Sequence, residues 1–284
     1  MLGVPYAQLL GGLLWVMLVT RPDLSFAVVR LAQFAACPGK THWSALKRVL
    51  AYLVTTKEWA LTYGTGGRNG STLEVYSDAD YASADIDGRR SHSAYVSMLN
   101  GGAIGWASKK QESVVLSTCE AEYVALAHAV KETIWLRSVL ASLRLLPPGP
   151  TTVYEDNRGA RALVMNPNSH ARSKHIDIRH HFTRDKVEDG TVVIVSMPTN
   201  QMLADLGTKL LGRLKHQLFS FGMGLRGHGL APSQPEPEGA EGADDAARRE
   251  GVLELRRVRR GAQSQRQQQA AARALATVRL PMHS

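Results

Sequence analysis

Three acidic residues follow segments that are patterned like β-strands. Asp78 and Asp156 come at the ends of two such segments, and Asp205 opens the helix predicted after a third. Binding sites in α/β sheets gather beyond the carboxyl ends of strands, so these acids can meet at one edge. A single acid in such a place is more often a helix cap or a turn residue, so only convergence would make a site.

Glu122 adds a fourth acid, from a long predicted helix. It lies in line with the apolar positions 125, 126, 129 and 130, which form the stripe that faces the sheet. A carboxylate in line with a buried stripe is unfavourable unless it is paired or binds a cation. Glu120, two residues earlier, points elsewhere and is interpreted as a first-turn acid favoured by the helix dipole.

Four carboxylates at one sheet edge repel each other unless cations compensate their charge. Mg²⁺ and Mn²⁺ prefer oxygen ligands and supply that compensation. Two such ions about 4 Å apart hold the attacking water and the leaving oxygen in phosphodiester hydrolysis. The four acids therefore predict a metal-dependent nuclease that binds two ions.

The elements that position these acids are predicted from hydrophobic periodicity. After a helical stretch at 1–63, an Asn100-Gly101-Gly102 turn joins two strands into a hairpin. Strands then alternate with helices, which predicts an α/β domain with a mixed five-stranded sheet flanked by helices. The predicted strands are 73–77, 93–99, 103–107, 151–154 and 191–197, and the helices are 117–146, 159–165, 176–188 and 202–221.

Composition divides the 284-residue chain into unequal parts. The net charge of +9 splits into +3 on residues 225–284, which hold ten Arg, no Lys and no aromatic residue, and +6 on the rest. We predict a helical subdomain at 1–63, the α/β domain at 71–224 and a disordered Arg/Gln/Ala-rich tail at 225–284. The excess positive charge favours a polyanionic partner.

Other features limit where and how the protein works. The longest apolar run, Leu9–Val19, has 11 residues, whereas a membrane-spanning helix needs roughly 20, and no signal peptide is expected. Two cysteines, Cys37 and Cys119, exclude a disulfide framework and are predicted to be reduced, largely buried thiols. We expect an intracellular protein, in the cytoplasm, a virus-like particle or the nucleus.

Several short motifs occur in a fixed order along residues 71–224. They are Tyr76-Ser-Asp-Ala-Asp-Tyr81, Arg89-Arg-Ser91, Gly101-Gly-Ala-Ile-Gly-Trp106, Ser108-Lys-Lys-Gln111, Ser117-Thr-Cys-Glu-Ala-Glu-Tyr123, Glu155-Asp-Asn157, Lys174-His-Ile-Asp-Ile178 and Ala204-Asp-Leu-Gly-Thr-Lys209. This segment resembles the ribonuclease H domain at the end of the Ty1/copia-type retrotransposon polyprotein. Residues 5–63 are similar to the last, mostly helical part of the preceding reverse transcriptase.

The resemblance implies a ribonuclease H-like fold and cleavage of the RNA strand of an RNA–DNA hybrid. Asp78, Glu122 and Asp156 match the first three acids of the family's Mg²⁺ or Mn²⁺ site. Asp205 is the best match to the last acid, with Asp177 as its rival. Two neighbouring acids, Asp80 and Glu155, are interpreted as supporting or structural residues.

Basic clusters near these acids are candidates for contact with the hybrid. A hybrid duplex is recognised through its phosphates, shape and 2′-hydroxyls, although a solvated helix face is an equal alternative. Trp106 and Trp135 are predicted to be core residues rather than stacking platforms. The predicted nucleic-acid-binding residues are Lys109, Lys110, Gln111, Arg172, Lys174, His175 and Arg179, and Arg89–Arg90 is a similar cluster.

Departures from the family pattern leave an alternative open. No Tyr-x-Asp-Asp motif is present, so DNA synthesis is not expected and a reverse transcriptase would act in trans. His92 and Ala94 stand where Ser or Thr and Gly are expected, and the loop at 199–201 lacks a His. Gly207 is expected to weaken the last helix by about 1 kcal/mol relative to Ala. The alternative is an inactive remnant that binds nucleic acid or has no function. A separate hypothesis is that the Arg-rich segment 248–273 binds RNA or chromatin. No membrane and no small-molecule cofactor are expected.

Overall fold

The computed structural model describes residues 4–64, 72–81, 90–165, 174–228 and 230, with the side chains of 174–180 left out. Its helices are Tyr6–Val19 (α1), Ser25–Ala32 (α2), Lys40–Thr55 (α3), Thr118–Ser142 (α4), Arg158–Met165 (α5), Lys174–Glu188 (α6) and Arg213–Gly222 (α7), with 3₁₀ helices at Pro22–Leu24 and Leu203–Gly207. Its strands are Ala60–Leu61 (β1), Glu74–Asp80 (β2), His92–Leu99 (β3), Gly102–Lys110 (β4), Thr151–Glu155 (β5), Val192–Ser196 (β6) and Leu225–Arg226 (β7). Residues 225–226, placed in the disordered tail by the sequence, form β7 instead, and from 231 onward the predicted tail lies outside the described residues.

The main sheet is the mixed five-stranded sheet that the sequence predicts. Its strand order is β4-β3-β2-β5-β6, in which β2, β3 and β4 are antiparallel neighbours and β5 and β6 run parallel to β2. The predicted hairpin turn is confirmed, because Asn100 and Gly101 have φ angles of 56° and 79°, as a tight β-hairpin requires. The parallel strands β2 and β5 end at the same edge, which brings Asp78 towards Asp156.

Helix α4 packs its apolar stripe against the sheet. Leu126, Ala129 and Val130 share a buried cluster with Val153 and Ile194 of the two parallel strands, which confirms the predicted sheet-facing stripe. Other residues on this stripe of α4, among them Glu122, therefore point towards the sheet.

The start of α4 is capped by its own side chains. The Ser117 hydroxyl accepts a hydrogen bond from the Glu120 N–H at 3.2 Å, and the Glu120 carboxylate accepts one from the Leu116 N–H at 2.7 Å. Both hydrogen bonds satisfy backbone groups that a helix start leaves unpaired. The interpretation of Glu120 as a first-turn acid is confirmed.

The prediction of one helix over 202–221 is wrong. The chain forms a 3₁₀ turn at Leu203–Gly207, then leaves the helical path before α7 begins at Arg213. Gly207 packs so closely on β3 that an added Cβ would lie 2.6 Å from the Cβ of Ala94. The two small residues therefore let the turn lie against the sheet, and the break carries the next residues to the sheet edge.

The first helices contact the domain that follows them. Strand β1 pairs antiparallel with β7, and the Trp106 indole N–H donates to the Met17 carbonyl oxygen at 3.0 Å. His216 of α7 hydrogen-bonds the Asp23 carbonyl oxygen at 3.2 Å. Contacts therefore cross the predicted boundary between 1–63 and 71–224, and the division into domains stays a prediction.

A buried charged cluster in the helical segment was not predicted. The Arg21 guanidinium pairs with the Asp23 carboxylate at 2.8 Å, and the Tyr52 hydroxyl donates to the same carboxylate at 2.7 Å. Arg21 also donates to the Thr56 carbonyl oxygen at 3.1 Å. The cluster ties the 3₁₀ turn before α2 to the end of α3.

Two expectations about burial are wrong. Cys37 is exposed and Cys119 is half-buried, and both are free thiols. Trp135, predicted to lie in the core, is 58% exposed because it lies on the outer face of α4. Across the described part of the chain, every helix is too short or too polar to cross a bilayer.

Candidate metal centre

Asp78 lies within β2 rather than after it, and its carboxylate is completely buried. The Thr208 hydroxyl donates a hydrogen bond to Oδ2, and the Lys209 ammonium lies 3.2 Å from Oδ1. Both partners lie in the segment between the 3₁₀ turn and α7. Because the chain leaves the helical path there, this segment reaches the sheet edge. Two side chains distant in sequence therefore hold the Asp78 carboxylate.

Glu122 points from α4 at the end of β2. Its carboxylate accepts a hydrogen bond of 2.7 Å from the backbone N–H of Ala79, the residue after Asp78, and the side chain is buried. The hydrogen bond crosses from the helix to the strand, so it places the two carboxylates side by side. The sequence interpretation of Glu122 as an inward-pointing acid is confirmed.

Asp156 follows β5 and is only half-buried. Its Oδ2 accepts a hydrogen bond of 2.7 Å from the Thr199 hydroxyl. Thr199 lies in the loop after β6, in the stretch where the sequence shows no His. This loop therefore contributes a hydroxyl that orients the Asp156 carboxylate.

Three of the predicted acids converge. One carboxylate oxygen each of Asp78, Glu122 and Asp156 lies within 4.8 Å of the other two, among the residues that the structure describes. Carboxylate oxygens are hard donors, so this set fits a divalent ion such as Mg²⁺ or Mn²⁺. The side chain of Asp177, the rival fourth acid, falls in the part of α6 where side chains are not described.

Asp205 lies beside this group but is held by lysines. Its Oδ1 is 2.9 Å from the ammonium group of Lys209, and its Oδ2 is 2.6 Å from that of Lys215. The carboxylate is buried, and Lys209 links it to Asp78. Both Asp205 oxygens therefore face cations of the protein itself.

Burial and mutual repulsion shift the pKa values of these acids. Burial raises the pKa of Asp78 to about 6, although the Lys209 charge opposes this increase. Burial and the neighbouring Glu155 raise the pKa of Glu122 to about 10. A cation that binds here favours the charged carboxylates and so displaces protons.

Glu155 is a further buried acid behind the centre. Its Oε1 accepts a hydrogen bond of 3.1 Å from the Asn157 N–H, and its Oε2 has no hydrogen-bond partner among the described residues. Burial raises the pKa of Glu155 well above its ordinary value. Asn157 caps α5 by accepting from the Ala160 N–H at 3.0 Å. This pair stabilises the turn that carries Asp156.

The predicted nucleic-acid-binding residues differ in their surroundings. Lys109 is exposed and pairs with Glu112 at 2.9 Å. Gln111 is buried, and its amide donates to Ser93 and to the Ala121 carbonyl oxygen, so it ties β3 to α4. Arg172 lies outside the described residues, and Lys174, His175 and Arg179 are described only as backbone of α6.

Sequence reasoning missed Thr208, Lys209 and Lys215. The first two follow Asp205 by three and four residues, a spacing that returns side chains to the same side of a helical turn. That spacing was a usable signal. Nothing in the sequence pattern links Lys215, ten residues after Asp205, to the same carboxylate.

The mixed five-stranded sheet with its flanking helices is a ribonuclease H-like fold. The chain belongs to the family of retrovirus-related Pol polyproteins from copia-type transposons. It is 42% identical over 215 residues to the Pol polyprotein from transposon TNT 1-94 of Nicotiana tabacum, a match that covers 76% of this chain and 16% of that protein. It is 41% identical over 220 residues to that from transposon RE2 of Arabidopsis thaliana, covering 78% and 15%.

A shorter relative matches at higher identity. Secreted RxLR effector protein 161 of Plasmopara viticola is 49% identical over 136 residues, which cover 48% of this chain and 94% of that protein. No protein-family model matches the chain. The chain thus spans less than a fifth of the two polyproteins and nearly the whole of this effector.

Solved structures that match part of this chain include an RNase H domain and a viral protease-reverse transcriptase. An RNase H domain of Mycobacterium tuberculosis matches with a TM-score of 0.36 and 10% identity, covering 49% of this chain and 91% of that chain. A foamy viral protease-reverse transcriptase in complex with an RNA/DNA hybrid matches with a TM-score of 0.40 and 14% identity, covering 68% and 25%.

Proposed function

We propose that this chain is a divalent-metal-dependent ribonuclease that hydrolyses the RNA strand of RNA–DNA hybrids. The observation that carries the proposal is the convergence of Asp78, Glu122 and Asp156 on one point at the sheet edge. Family membership supports it, and the same acids lie in the motifs that resemble the ribonuclease H domain of copia-type polyproteins.

The three carboxylates would hold the Mg²⁺ or Mn²⁺ ion. An ion held there would polarise the scissile phosphodiester and activate a water molecule for attack on it. The proposed hydrolysis requires one ion at these three carboxylates and does not depend on a second ion at Asp205.

The protein's own groups orient the carboxylates before any ion binds. The Ala79 N–H holds Glu122, the Thr199 hydroxyl holds Asp156, and the Thr208 hydroxyl holds Asp78. Partners that orient metal ligands in this way typically contribute about 10–100-fold to metal affinity or activity. Such preorganisation supports a working centre over a decayed one.

The sheet register brings a basic residue near the centre. Lys109 pairs with Ser93 of β3, which pairs with Ala79 of β2, next to Asp78. Neighbouring strands are about 4.8 Å apart, so Lys109 stands roughly 10 Å from the β2 backbone. An ammonium group at that distance can contact a phosphate of a duplex bound over the centre, while its exposed pair with Glu112 costs little to break.

The experiment uses the full chain and three labelled substrates, an RNA–DNA hybrid, an RNA duplex and a DNA duplex, with Mg²⁺ or Mn²⁺. We expect cleavage of the hybrid's RNA strand alone, loss of cleavage with a chelator, and no cleavage by the Asp78→Asn variant. A folded wild-type chain without metal-dependent cleavage would overturn the proposal in favour of the inactive remnant. Undiminished cleavage by Asp78→Asn would overturn it too.

Two related expectations remain proposals. A reverse transcriptase would supply the hybrid in trans, and the protein would act in the cytoplasm, a virus-like particle or the nucleus. The role of Asp205 as a fourth ligand stays a sequence prediction, and the two lysines that contact its carboxylate oppose it.

A further inference from the structure

The space between Asp78 and Asp205 is occupied by a cationic side chain. The Lys209 ammonium lies 3.2 Å from Asp78 Oδ1 and 2.9 Å from Asp205 Oδ1, so it bridges the two carboxylates. A second metal ion shared by these acids would need the same oxygens. The bridging ammonium therefore competes with such an ion.

The other oxygens of these acids are also engaged. Asp205 Oδ2 is 2.6 Å from the Lys215 ammonium, and Asp78 Oδ2 accepts from the Thr208 hydroxyl. Asp205 can become a metal ligand only if it loses an ion pair in a buried setting.

The bridging lysine is held by the backbone as well. The Lys209 N–H donates to the Asp205 carbonyl oxygen at 3.0 Å, which keeps the two residues on one turn. The Lys209 side chain is 33% exposed, so it is partly open to solvent. The lysine is therefore a built part of the site.

Charge balance agrees with this geometry. The Lys209 and Lys215 ammonium groups already place two positive charges against Asp78 and Asp205. A second divalent cation between these two carboxylates would lie against the Lys209 ammonium, and like charges at such short distances repel each other.

We propose that the Lys209 ammonium takes the place of a second metal ion between Asp78 and Asp205, so that the centre binds one divalent ion through Asp78, Glu122 and Asp156. The inference deepens the proposed function and rests on it for the metal site. Lys209 is a positioning residue that fixes positive charge beside the ion.

The test counts bound Mn²⁺ on the full chain by electron paramagnetic resonance, which also detects coupling between two close ions. We expect about one ion for the wild type without a coupled signal, and about two coupled ions for Lys209→Met, which keeps the length of the side chain and removes its charge. Lys209→Arg keeps the charge and should bind about one ion. The matched control Lys215→Met should also bind about one, because Lys215 contacts Asp205 but not Asp78.

Two coupled ions on the wild type would overturn the inference, as would a single ion on a folded Lys209→Met variant. If Lys209→Met does not fold, the number of bound ions is compared between the wild type and Lys209→Gln. About one ion is expected for the wild type and about two coupled ions for Lys209→Gln. The test of this inference can be distinguished from the test of the proposed function. A chain that binds one ion but cleaves no hybrid contradicts only the proposed nuclease activity. A chain that binds no ion overturns both.

Discussion

The Thr208 hydroxyl donates a hydrogen bond to the carboxylate of Asp78, a residue 130 positions earlier in the chain. Both side chains are completely buried. The contact joins the segment after the 3₁₀ turn to β2, the central strand of the sheet. This strand carries Asp78, the first of the converging acids. A hydrogen bond to a carboxylate favours the charged form, so Thr208 opposes the effect of burial on Asp78.

Thr208→Val should weaken metal binding by about 10–100-fold, because it removes the hydroxyl that orients a ligand while keeping the side-chain shape. Titration calorimetry with Mn²⁺ measures the change. Thr208→Ser keeps the hydroxyl and should stay close to the wild type. Equal affinities for the Val and Ser variants would show that the hydrogen bond does not support the centre.

Metal affinity should increase with pH. The pKa of Asp78 is raised to about 6 and that of Glu122 to about 10, so protons occupy the ligands that an ion must displace. We therefore expect Mn²⁺ affinity to rise steadily from about pH 5 to about pH 8, with proton release on binding. Calorimetry in buffers of different ionisation enthalpy counts the protons. An affinity that stays flat over this range would contradict the account.

The stability of the fold should decrease in acid because of His92. Burial, with the Arg30 and Lys110 charges, lowers the pKa of His92 to about 4. The unfolded chain has the ordinary pKa of about 6.5 and binds more protons between these values, so stability present above pH 6.5 is lost as the pH falls towards 4.

The His92 contribution should amount to about 2 kcal/mol lost by pH 5. Urea unfolding of the wild type and His92→Gln at several pH values measures it. The variant lacks the titrating ring, so its stability should fall less between about pH 6.5 and pH 4. The buried carboxylates titrate in both proteins and cancel in the difference. Identical pH slopes would refute this role of His92.

Gly207→Ala should destabilise the fold by about 1–3 kcal/mol, although Ala is the better helix former. The added Cβ would lie 2.6 Å from that of Ala94, so one backbone must shift. Ala94→Gly should recover most of the loss in the double variant. Gly11→Ala is the matched control, because nothing lies within 4 Å of its added Cβ in helix α1.

The Gly11→Ala control should be stabilised by about 0.5–1 kcal/mol, as expected for a helix interior. Thermal or urea unfolding compares the variants. If Gly207→Ala is stabilised by a similar amount, the close contact with Ala94 does not constrain the turn.

Features with a strong local signal were predictable from the sequence. Glu122 interrupts an apolar stripe of helical period, and this alone marks it as the inward-pointing acid. The hairpin was predictable because Asn100 and Gly101 are residue types that tolerate positive φ. In each case a few neighbouring residues contain the whole signal.

Features that depend on tertiary contacts were not predictable. The predicted last helix is a 3₁₀ turn followed by α7, and Gly207 at the end of this turn packs against Ala94, more than a hundred residues away. The Asp205 carboxylate faces Lys215 only because α7 returns towards the sheet edge. Periodicity in one segment contains no information about such distant partners. The sequence therefore identified the acids, and the structure added the cations that accompany them.

The most direct test of the metal centre compares two substitutions on one helix. Glu122→Gln removes a proposed ligand, whereas Glu120→Gln changes an acid two residues away that caps the helix start. Mg²⁺-dependent cleavage of the RNA strand of a hybrid is the measurement. We predict that Glu122→Gln loses more than about a hundredfold in rate, beyond the effect of a supporting residue, and that Glu120→Gln keeps most of it. Equal rates for the two folded variants would contradict the account.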